Sequence, residues 1–128
     1  MRPEPHDAAY LWDMLAHARE AVEFVRGRTF EEYMRDGLRR RAVERVVEIV
    51  GEAASKVSAE FRAATPNVRW RAIIVQRHRL IHEYGGIDHE KIWRVAVHHA
   101  PLLIPQLERL LPPPPPDPHP EPVDPAAA

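Results

Sequence analysis

The amino-acid sequence predicts an all-α fold, a bundle of four helices followed by a proline-rich tail. Apolar residues recur at spacings of three and four along most of the first 111 residues, which is the period of a helix with one buried face. The chain has 128 residues, of which 45% are hydrophobic, and it contains few of the β-branched runs that favour strands. This length is typical of one domain with one core. Helices joined by short loops pack as a bundle.

Capping residues mark the first two helices. Asp7 is the predicted cap of a helix that runs from about residue 7 to about residue 26. Thr29 and Glu32 stand three residues apart and predict a capping box, in which each side chain binds a backbone N–H of the other residue. The apolar stripe that follows continues to about residue 57. The sequence therefore predicts one long second helix.

A loop with one short turn is predicted between the second and third helices. Ser58 is placed to cap that turn, and Pro66 breaks the helical period after it. Trp70 begins a third apolar stripe. Gly85 and Gly86 are the predicted end of this helix, because glycine commonly follows a helix C-terminus.

The fourth helix is predicted to begin at a cap formed by Asp88 and to continue to residue 111. Pro101 and Pro105 lie within it and are expected to kink or interrupt it, since proline has no backbone N–H to donate. The remaining PPPPPDPHPEPVDPAAA is expected to be extended or disordered. We therefore predict a helical domain over residues 1–111 and a tail over residues 112–128.

Composition excludes several classes of protein. The chain has no cysteine, which removes disulfides, thiolate nucleophiles and cysteine-bound zinc. The N-terminal MRPEPHDAAY has no apolar signal core, and no apolar run approaches the ~20 residues of a membrane-spanning helix. We therefore expect a soluble, cytoplasmic protein that makes no membrane contact.

Charge is unevenly distributed along the chain. The formal net charge of −1 argues against a protein that is basic throughout. Between Arg69 and His99, however, six Lys or Arg residues stand against three acids, with five histidines among them. This segment is therefore locally basic.

The stretch RHRLIHEYGG, residues 77–86, concentrates polar groups suited to chemistry. Arg77 and Tyr84 are seven residues apart and nearly eclipsed on a helix, whereas His82 lies about 140° around the axis from Arg77. Three geometries remain open. The helix unwinds near Gly85, the long Arg77 side chain reaches around the helix, or the pocket combines residues from two chains of a symmetric dimer. We favour the dimer.

The same stretch also fits two simpler interpretations. His78 and His82 are four residues apart, which is a metal-chelating spacing, but the sequence offers no third ligand nearby, so no metal is expected. The whole cluster also fits a solvated helix end, where cations interact favourably with the helix dipole. Spacing by itself leaves that second interpretation open.

Three landmarks give the chain a resemblance to a known family. They are the segment EIVGEAA (residues 48–54), Trp70 ahead of the third helix, and the pattern of Arg77, four residues, His82, one residue and Tyr84. Together they resemble the HepT-like family of HEPN (higher eukaryotes and prokaryotes nucleotide-binding) proteins over roughly residues 7 to 111. The position after the arginine is commonly asparagine in this family and is His78 here.

The resemblance implies a fold, an activity and partners. The implied fold is a four-to-five-helix HEPN up-and-down bundle that forms a homodimer. The implied activity is that of a metal-independent endoribonuclease with no cofactor, the toxin of a toxin-antitoxin pair, which cleaves tRNA or mRNA. The implied partner is a minimal nucleotidyltransferase antitoxin, which transfers AMP units to Tyr84.

The residues present are consistent with that chemistry. Histidine, with an ordinary pKa of ~6.5, suits either proton transfer in the attack of an RNA 2′-hydroxyl on its neighbouring phosphate, and His82 is the candidate. Arg77 offers planar, bidentate donors to the charge that develops on phosphorus. His78 is an auxiliary candidate, either for a second proton transfer or in the hydrogen-bonding place of the asparagine.

A second hypothesis belongs to another functional class. The chain would then be a non-catalytic HEPN module that docks and regulates a nucleotidyltransferase partner. The near-neutral charge and His78 favour it slightly, whereas the intact set of Arg77, His82 and Tyr84 favours the ribonuclease more strongly. Ribonuclease activity separates the two hypotheses.

Overall fold

The computed structural model describes residues 2–82 and 86–112, and at positions 81 and 82 it describes the backbone only. The helices within these residues are α1 (Pro5–Val25), α2 (Phe30–Arg35), α3 (Gly37–Lys56), α4 (Ala59–Ala64), α5 (Trp70–His82), α6 (His89–Arg94), a π-helical segment (Val95–His99) and α7 (Ala100–Leu110). The predicted all-α bundle is confirmed, and the described ranges contain no strand. Tyr84, Gly85 and the tail from residue 113 lie outside the described residues.

Helix α1 begins earlier than predicted, and Asp7 is not its cap. The cap position is Glu4, and Pro5 occupies the first turn, where a missing N–H costs nothing. Asp7 lies inside the helix and is buried, with 4% of its surface exposed. Its carboxylate accepts hydrogen bonds from the backbone N–H of Ser58 at 2.8 Å and from the Ser58 hydroxyl at 2.7 Å. Asp7 therefore ties α1 to the start of α4.

The predicted second helix is divided in two. Thr29 and Glu32 form the predicted capping box, which opens α2. The helix then breaks at Asp36, whose φ of −105° and ψ of 87° lie outside the helical region. The Asp36 carboxylate accepts from the backbone N–H of Arg39 at 3.0 Å and so caps α3. The prediction of a single long helix was wrong, because the short acidic side chain of Asp36 competes with the backbone hydrogen bonds of a continuous helix.

The connection from α3 to α5 follows the sequence prediction. Ser58 caps α4 by accepting from the backbone N–H of Phe61 at 3.2 Å. Trp70 opens α5 and is buried, and its indole N–H donates to the Thr65 carbonyl at 3.1 Å. The indole therefore anchors the start of α5 to the loop before it.

The fourth predicted helix is observed as three consecutive helical segments, namely α6, the π-helical segment and α7. Asp88 caps it by accepting from the backbone N–H of Lys91 at 3.1 Å. The expected interruption occurs just before Pro101, where the N–H of Ala100 bonds the carbonyl of Val95 and the helix widens to the π form. This wider turn accommodates a proline ring that would otherwise crowd the carbonyl of the preceding turn. Pro105 lies inside α7 without ending it.

Helix α3 is the centre of the bundle. It packs against α1 and α5, and α1 also packs against α7. One apolar cluster joins α1, α3, α4 and α7 around residues such as Leu15, Phe61 and Leu107. A second joins α1, α2, α3 and α6 around Tyr33 and Ile92.

None of the described helices combines the length and the hydrophobicity that a membrane-spanning helix requires. The domain boundary at residue 111 stays a prediction.

Candidate active site

Arg77 lies on the face of α5 that packs against α3, and a glycine makes this packing possible. A Cβ atom added at Gly51 would lie 2.2 Å from the Cβ of Arg77 and 3.1 Å from the carbonyl oxygen of Ile73. Real Cβ atoms do not approach a neighbour as closely as 2.2 Å. The two helices therefore meet at Gly51, the glycine of the EIVGEAA segment, and the base of the Arg77 side chain is fixed there.

One nitrogen of the Arg77 guanidinium has no hydrogen-bond partner in the described part of the chain. The residue is half-buried, and its Nε is shielded from solvent without a hydrogen-bond partner among the described residues. An unsatisfied buried donor of a charged group costs free energy unless an acceptor reaches it. Arg40 and Arg62 share this feature, so the contact with Gly51, and not the Nε atom, distinguishes Arg77.

His82 is the last residue of α5, five positions after Arg77. Because α5 is a regular α-helix from Trp70 to His82, the Cα positions of residues 77 and 82 stand about 140° apart around its axis. Unwinding between Arg77 and His82 therefore does not bring them together. The side chain of His82 and the whole of Tyr84 lie outside the described residues, so their predicted roles stay predictions.

His78 and Arg79 follow Arg77 on the exposed side of α5. Arg79 lines a groove of about 900 Å³ between α5 on one side and α6, the π-helical segment and α7 on the other. A smaller pocket of about 110 Å³ adjoins it, lined by Gln76, Arg79, Asp88 and Lys91 among others. The basic segment seen in the sequence thus lines open space beside the motif.

A polar cluster near α6 was not predicted from sequence. His89 Nδ1 lies 3.4 Å from the Oε1 atom of Glu44, which joins the start of α6 to α3. The Tyr33 hydroxyl is buried beside them without a hydrogen-bond partner in the described part of the chain. Burial, together with the negative charge of Glu44, raises the pKa of Tyr33 to about 12, while Arg40 acts in the opposite direction. The only sequence signal was an acid, Glu44, seven residues before Gly51 and so on the same face of α3.

The two other acids on α3 form ion pairs with basic residues of the same helix. Glu48 lies 3.3 Å from Arg45, and Glu52 lies 3.5 Å from Lys56, both within α3. In the described ranges, no group of three or more His, Asp or Glu side chains is arranged to hold a metal ion. The described residues that can bind an anion here are therefore Arg77 and the cations of the basic groove.

Comparison with known proteins places this arrangement in a family. Residues 14–110 match the family model described as ribonuclease HepT-like. A Thermococcus cleftensis protein named a probable ribonuclease HepT is 35% identical over 102 residues, covering 79% of this chain and 92% of its own length. A Caldanaerobacter subterraneus protein that carries the provisional name of an RNase is 35% identical, over 80% of this chain and 91% of its own. A Methanocaldococcus jannaschii protein with the same kind of name is 31% identical, over 85% and 90%. No solved structure matches the chain.

Proposed function

We propose that this chain, which belongs to the HepT-like ribonuclease family and is a ribonuclease, is a metal-independent endoribonuclease acting through Arg77 and His82. Its substrate is tRNA or mRNA in the cytoplasm, and its biological role is that of the toxin in a toxin-antitoxin pair. The observation that carries the site is the helix contact at Gly51, which holds the base of the Arg77 side chain at a fixed position on α5.

The reaction is an internal transesterification followed by release of two RNA fragments. A base takes the proton of a 2′-hydroxyl, the 2′-oxygen forms a bond to the adjacent phosphorus, and the bond from phosphorus to the 5′-oxygen breaks. An acid gives a proton to the departing 5′-oxygen. His82 serves as one of these groups, because an imidazole titrates close to neutral pH.

Arg77 stabilises the charge that builds on the phosphoryl oxygens. Its guanidinium is permanently charged and presents donors in a fixed plane, which suits two oxygens of one phosphate. A group fixed before the reaction does not have to reorganise as charge develops, so it favours the transition state over the ground state. The contact with Gly51 supports this role, because it restricts where the Arg77 side chain can begin.

A homodimer accounts for the angle between the two catalytic residues. Positions 77 and 82 point about 140° apart on a regular α5, which separates them within one chain. A twofold axis beside α5 would place His82 of one protomer near Arg77 of its partner. It would also bring two histidines together, one as base and one as acid. His78 is then an auxiliary group for positioning or for proton transfer.

Tyr84 is the proposed point of control. A minimal nucleotidyltransferase acts as the antitoxin, and the phenol oxygen of Tyr84 attacks the α-phosphorus of ATP, with loss of its proton and release of pyrophosphate. The product is an AMP-tyrosine bearing a phosphate. That phosphate adds negative charge and bulk seven residues from Arg77, where the RNA phosphate binds, and so blocks the substrate.

Cleavage of RNA in a chelator tests the proposal directly. Purified, unmodified protein is incubated with total tRNA in excess EDTA, beside Arg77→Ala and His82→Ala, and the products are resolved on a denaturing gel. We expect cleavage by the wild type and none by either variant. The Arg77→Ala chain keeps the Cβ that packs on Gly51, so its circular dichroism spectrum and its size-exclusion volume should not change.

Two matched variants control for the loss of any arginine or histidine. Arg35→Ala and His98→Ala remove exposed side chains far from the motif in sequence, and both should cleave like the wild type. Cleavage by Arg77→Ala would remove Arg77 from the mechanism. No cleavage by the wild type, with mass spectrometry confirming a bare Tyr84, would instead favour the module that docks a nucleotidyltransferase without catalysis.

A further inference from the structure

A groove between α5 and the α6 to α7 segment opens beside the end of α5 that carries the motif. Its volume is about 900 Å³, and the residues at its floor, Ala18, Ala21, Val47 and Val50, belong to the buried core of α1 and α3, with at most 8% of their surface exposed. Val75 and Leu102 are exposed large hydrophobic residues at its walls, with Leu102 68% exposed. The floor and part of the walls are therefore apolar.

The rims of the groove are basic. Arg69, Arg71 and Arg79 line the α5 side, and Lys91 and Arg94 line the α6 side. No Asp or Glu is among the lining residues. Over the part of the chain that the structure covers, none of these five cations forms an ion pair, although ion pairs occur on α1 and α3. Uncompensated charge is thus concentrated here, in a chain whose net charge is only −1.

We propose that this groove binds single-stranded RNA, with the bases against the exposed apolar side chains of Val75 and Leu102 above the apolar floor and the phosphates along the two basic rims. The inference rests on the proposed ribonuclease function and adds the surface that holds its substrate. Proteins that hold single strands combine a cationic groove that follows the backbone with apolar or aromatic surface that contacts the bases. Duplex RNA shows its paired bases only at their edges, whereas a single strand can place whole bases against such apolar surface.

The groove leads toward His82, whereas Arg77 lies about 160° around α5 from Arg79, on the face that packs against α3. At one end, the side chain of Gln106 donates to the carbonyl of Asn67 at 3.0 Å and links α7 to the loop before α5. At the other end, Arg79 stands two residues after Arg77 and three before His82. Positions 79 and 82 are neighbours on one face of a helix. A strand held from Arg69 to Arg79 spans about 15 Å of α5 and ends one turn from His82.

A second copy of the chain fits the groove less well than an anion does. In a twofold interface the same surface meets itself, so two sets of five cations would face each other without an acid between them. Like charges brought together in this way oppose association. Charge therefore favours a polyanion as the occupant.

RNA binding is measured separately from cleavage to test the groove. The probe is a fluorescein-labelled 2′-O-methyl oligouridylate, which has the phosphate backbone but no 2′-hydroxyl nucleophile, and its anisotropy is followed with the full chain between about 50 and 200 mM KCl. The pair Arg71→Gln with Arg79→Gln and the pair Lys91→Gln with Arg94→Gln should each weaken binding by roughly tenfold or more. Each should also reduce the slope of log K against log salt by about 1.4, or ~0.7 per lost phosphate contact.

A matched pair of arginines outside the groove gives the control. Arg28→Gln with Arg35→Gln changes the net charge by the same amount at exposed positions that do not line the groove. Binding should stay within about twofold of the wild type. If this pair weakens binding as much as the groove pairs do, the affinity for the probe depends on net charge and not on the groove, and the groove proposal is overturned.

Leu102→Asn tests the apolar part of the site. It should weaken binding severalfold while leaving the salt slope unchanged, since it removes contact with a base and no charge. If Leu102→Asn instead converts a dimer into a monomer in size-exclusion chromatography, the groove is an interface between copies and the proposal is wrong.

The two proposals fail in distinguishable ways. Cleavage that depends on Arg77 and His82, together with probe binding that ignores the groove variants, overturns the groove and leaves the ribonuclease site standing. Probe binding that depends on the groove, in a wild type that does not cleave tRNA, supports the groove and overturns the catalytic proposal.

Discussion

Gly51 and Arg77 are 26 residues apart in the sequence, yet a Cβ placed on Gly51 would come within 2.2 Å of the Cβ of Arg77. The backbone of α3 and the candidate catalytic arginine are thus in direct contact. Any side chain at position 51 pushes against the base of Arg77 and against the backbone of α5 at Ile73, not against the far end of a flexible chain. Stability and the position of Arg77 are therefore coupled at this residue.

Gly51→Ala should destabilise the protein and reduce RNA cleavage together. Overpacking a tight helix contact costs about 1–3 kcal/mol, which exceeds the gain of about 1 kcal/mol that alanine brings to a helix interior. We expect a net loss of up to about 2 kcal/mol in the free energy of unfolding, measured with urea, and at least a tenfold loss of cleavage rate because Arg77 is displaced.

Gly37→Ala is the matched control for that substitution. Its added Cβ would lie 2.9 Å from the Nη1 atom of Arg41, the far end of a flexible side chain that can move away. Stability and cleavage should both stay close to those of the wild type. Equal losses in the two variants would show that glycine is needed for a general reason and not for the contact with Arg77.

Asp7→Ala should destabilise the bundle without touching the candidate site. The Asp7 carboxylate receives two hydrogen bonds from Ser58, and its removal leaves the backbone N–H of Ser58 without that acceptor. Hydrogen bonds to a charged group contribute about 1.5–3 kcal/mol, so we expect a loss of about 2 kcal/mol in urea unfolding. The double variant with Ser58→Ala should cost less than the sum of the two single variants, since the residues interact directly. Strict additivity would contradict the coupling.

The raised pKa of Tyr33 predicts that the protein loses stability at alkaline pH. Its folded-state pKa of about 12 lies above the ordinary 10.0, so unfolding allows the phenol to ionise more readily. The contribution is fully present below about pH 10 and is lost as the pH rises from there through about 12, by roughly 2 kcal/mol. The free energy of unfolding of Tyr33→Phe, compared with the wild type between pH 8 and about 12, isolates this effect. A constant difference between the two proteins over that range would contradict it.

Tyr33→Phe should also be tolerated at neutral pH. The hydroxyl is buried and has no hydrogen-bond partner among the described residues, so its removal leaves no other group unsatisfied. We expect the free energy of unfolding at pH 7 to be equal to or slightly above that of the wild type. A loss of 2 kcal/mol or more would show that the hydroxyl has a bound partner, such as water.

Tyr84→Phe separates catalysis from control. A phenol with an ordinary pKa of ~10 is a poor proton donor or acceptor at neutral pH, so the variant should cleave tRNA at a rate close to the wild type. With the nucleotidyltransferase and ATP present, mass spectrometry should find AMP on the wild type and not on the variant, and only the wild type should lose activity. An inactive Tyr84→Phe would instead give Tyr84 a direct part in binding or cleaving RNA.

Local signals predicted those features of the fold that depend on neighbouring residues. The capping box of Thr29 and Glu32 and the caps at Ser58 and Asp88 are hydrogen bonds between residues three positions apart, so the sequence contains all of their participants. The same reasoning missed the break at Asp36, because an acid beside a continuous apolar stripe is also tolerated on the surface of a helix. Local reasoning also assigned Asp7 wrongly as the cap of α1. An aspartate suits both a helix cap and a buried acceptor for a distant residue such as Ser58, and the sequence does not distinguish the two.

The helical class of the chain, most helix starts and the motif residues Arg77, His82 and Tyr84 can be read from neighbouring positions, because periodicity, caps and motif spacing are local properties. The contact of Gly51 with Arg77, the approach of Glu44 to His89, and the lining of one groove by five cations around an apolar floor follow from the packing of the helices. These are contacts between residues far apart in the chain. They exist only after the helices have packed, because packing brings their side chains and backbones within a few ångströms of one another.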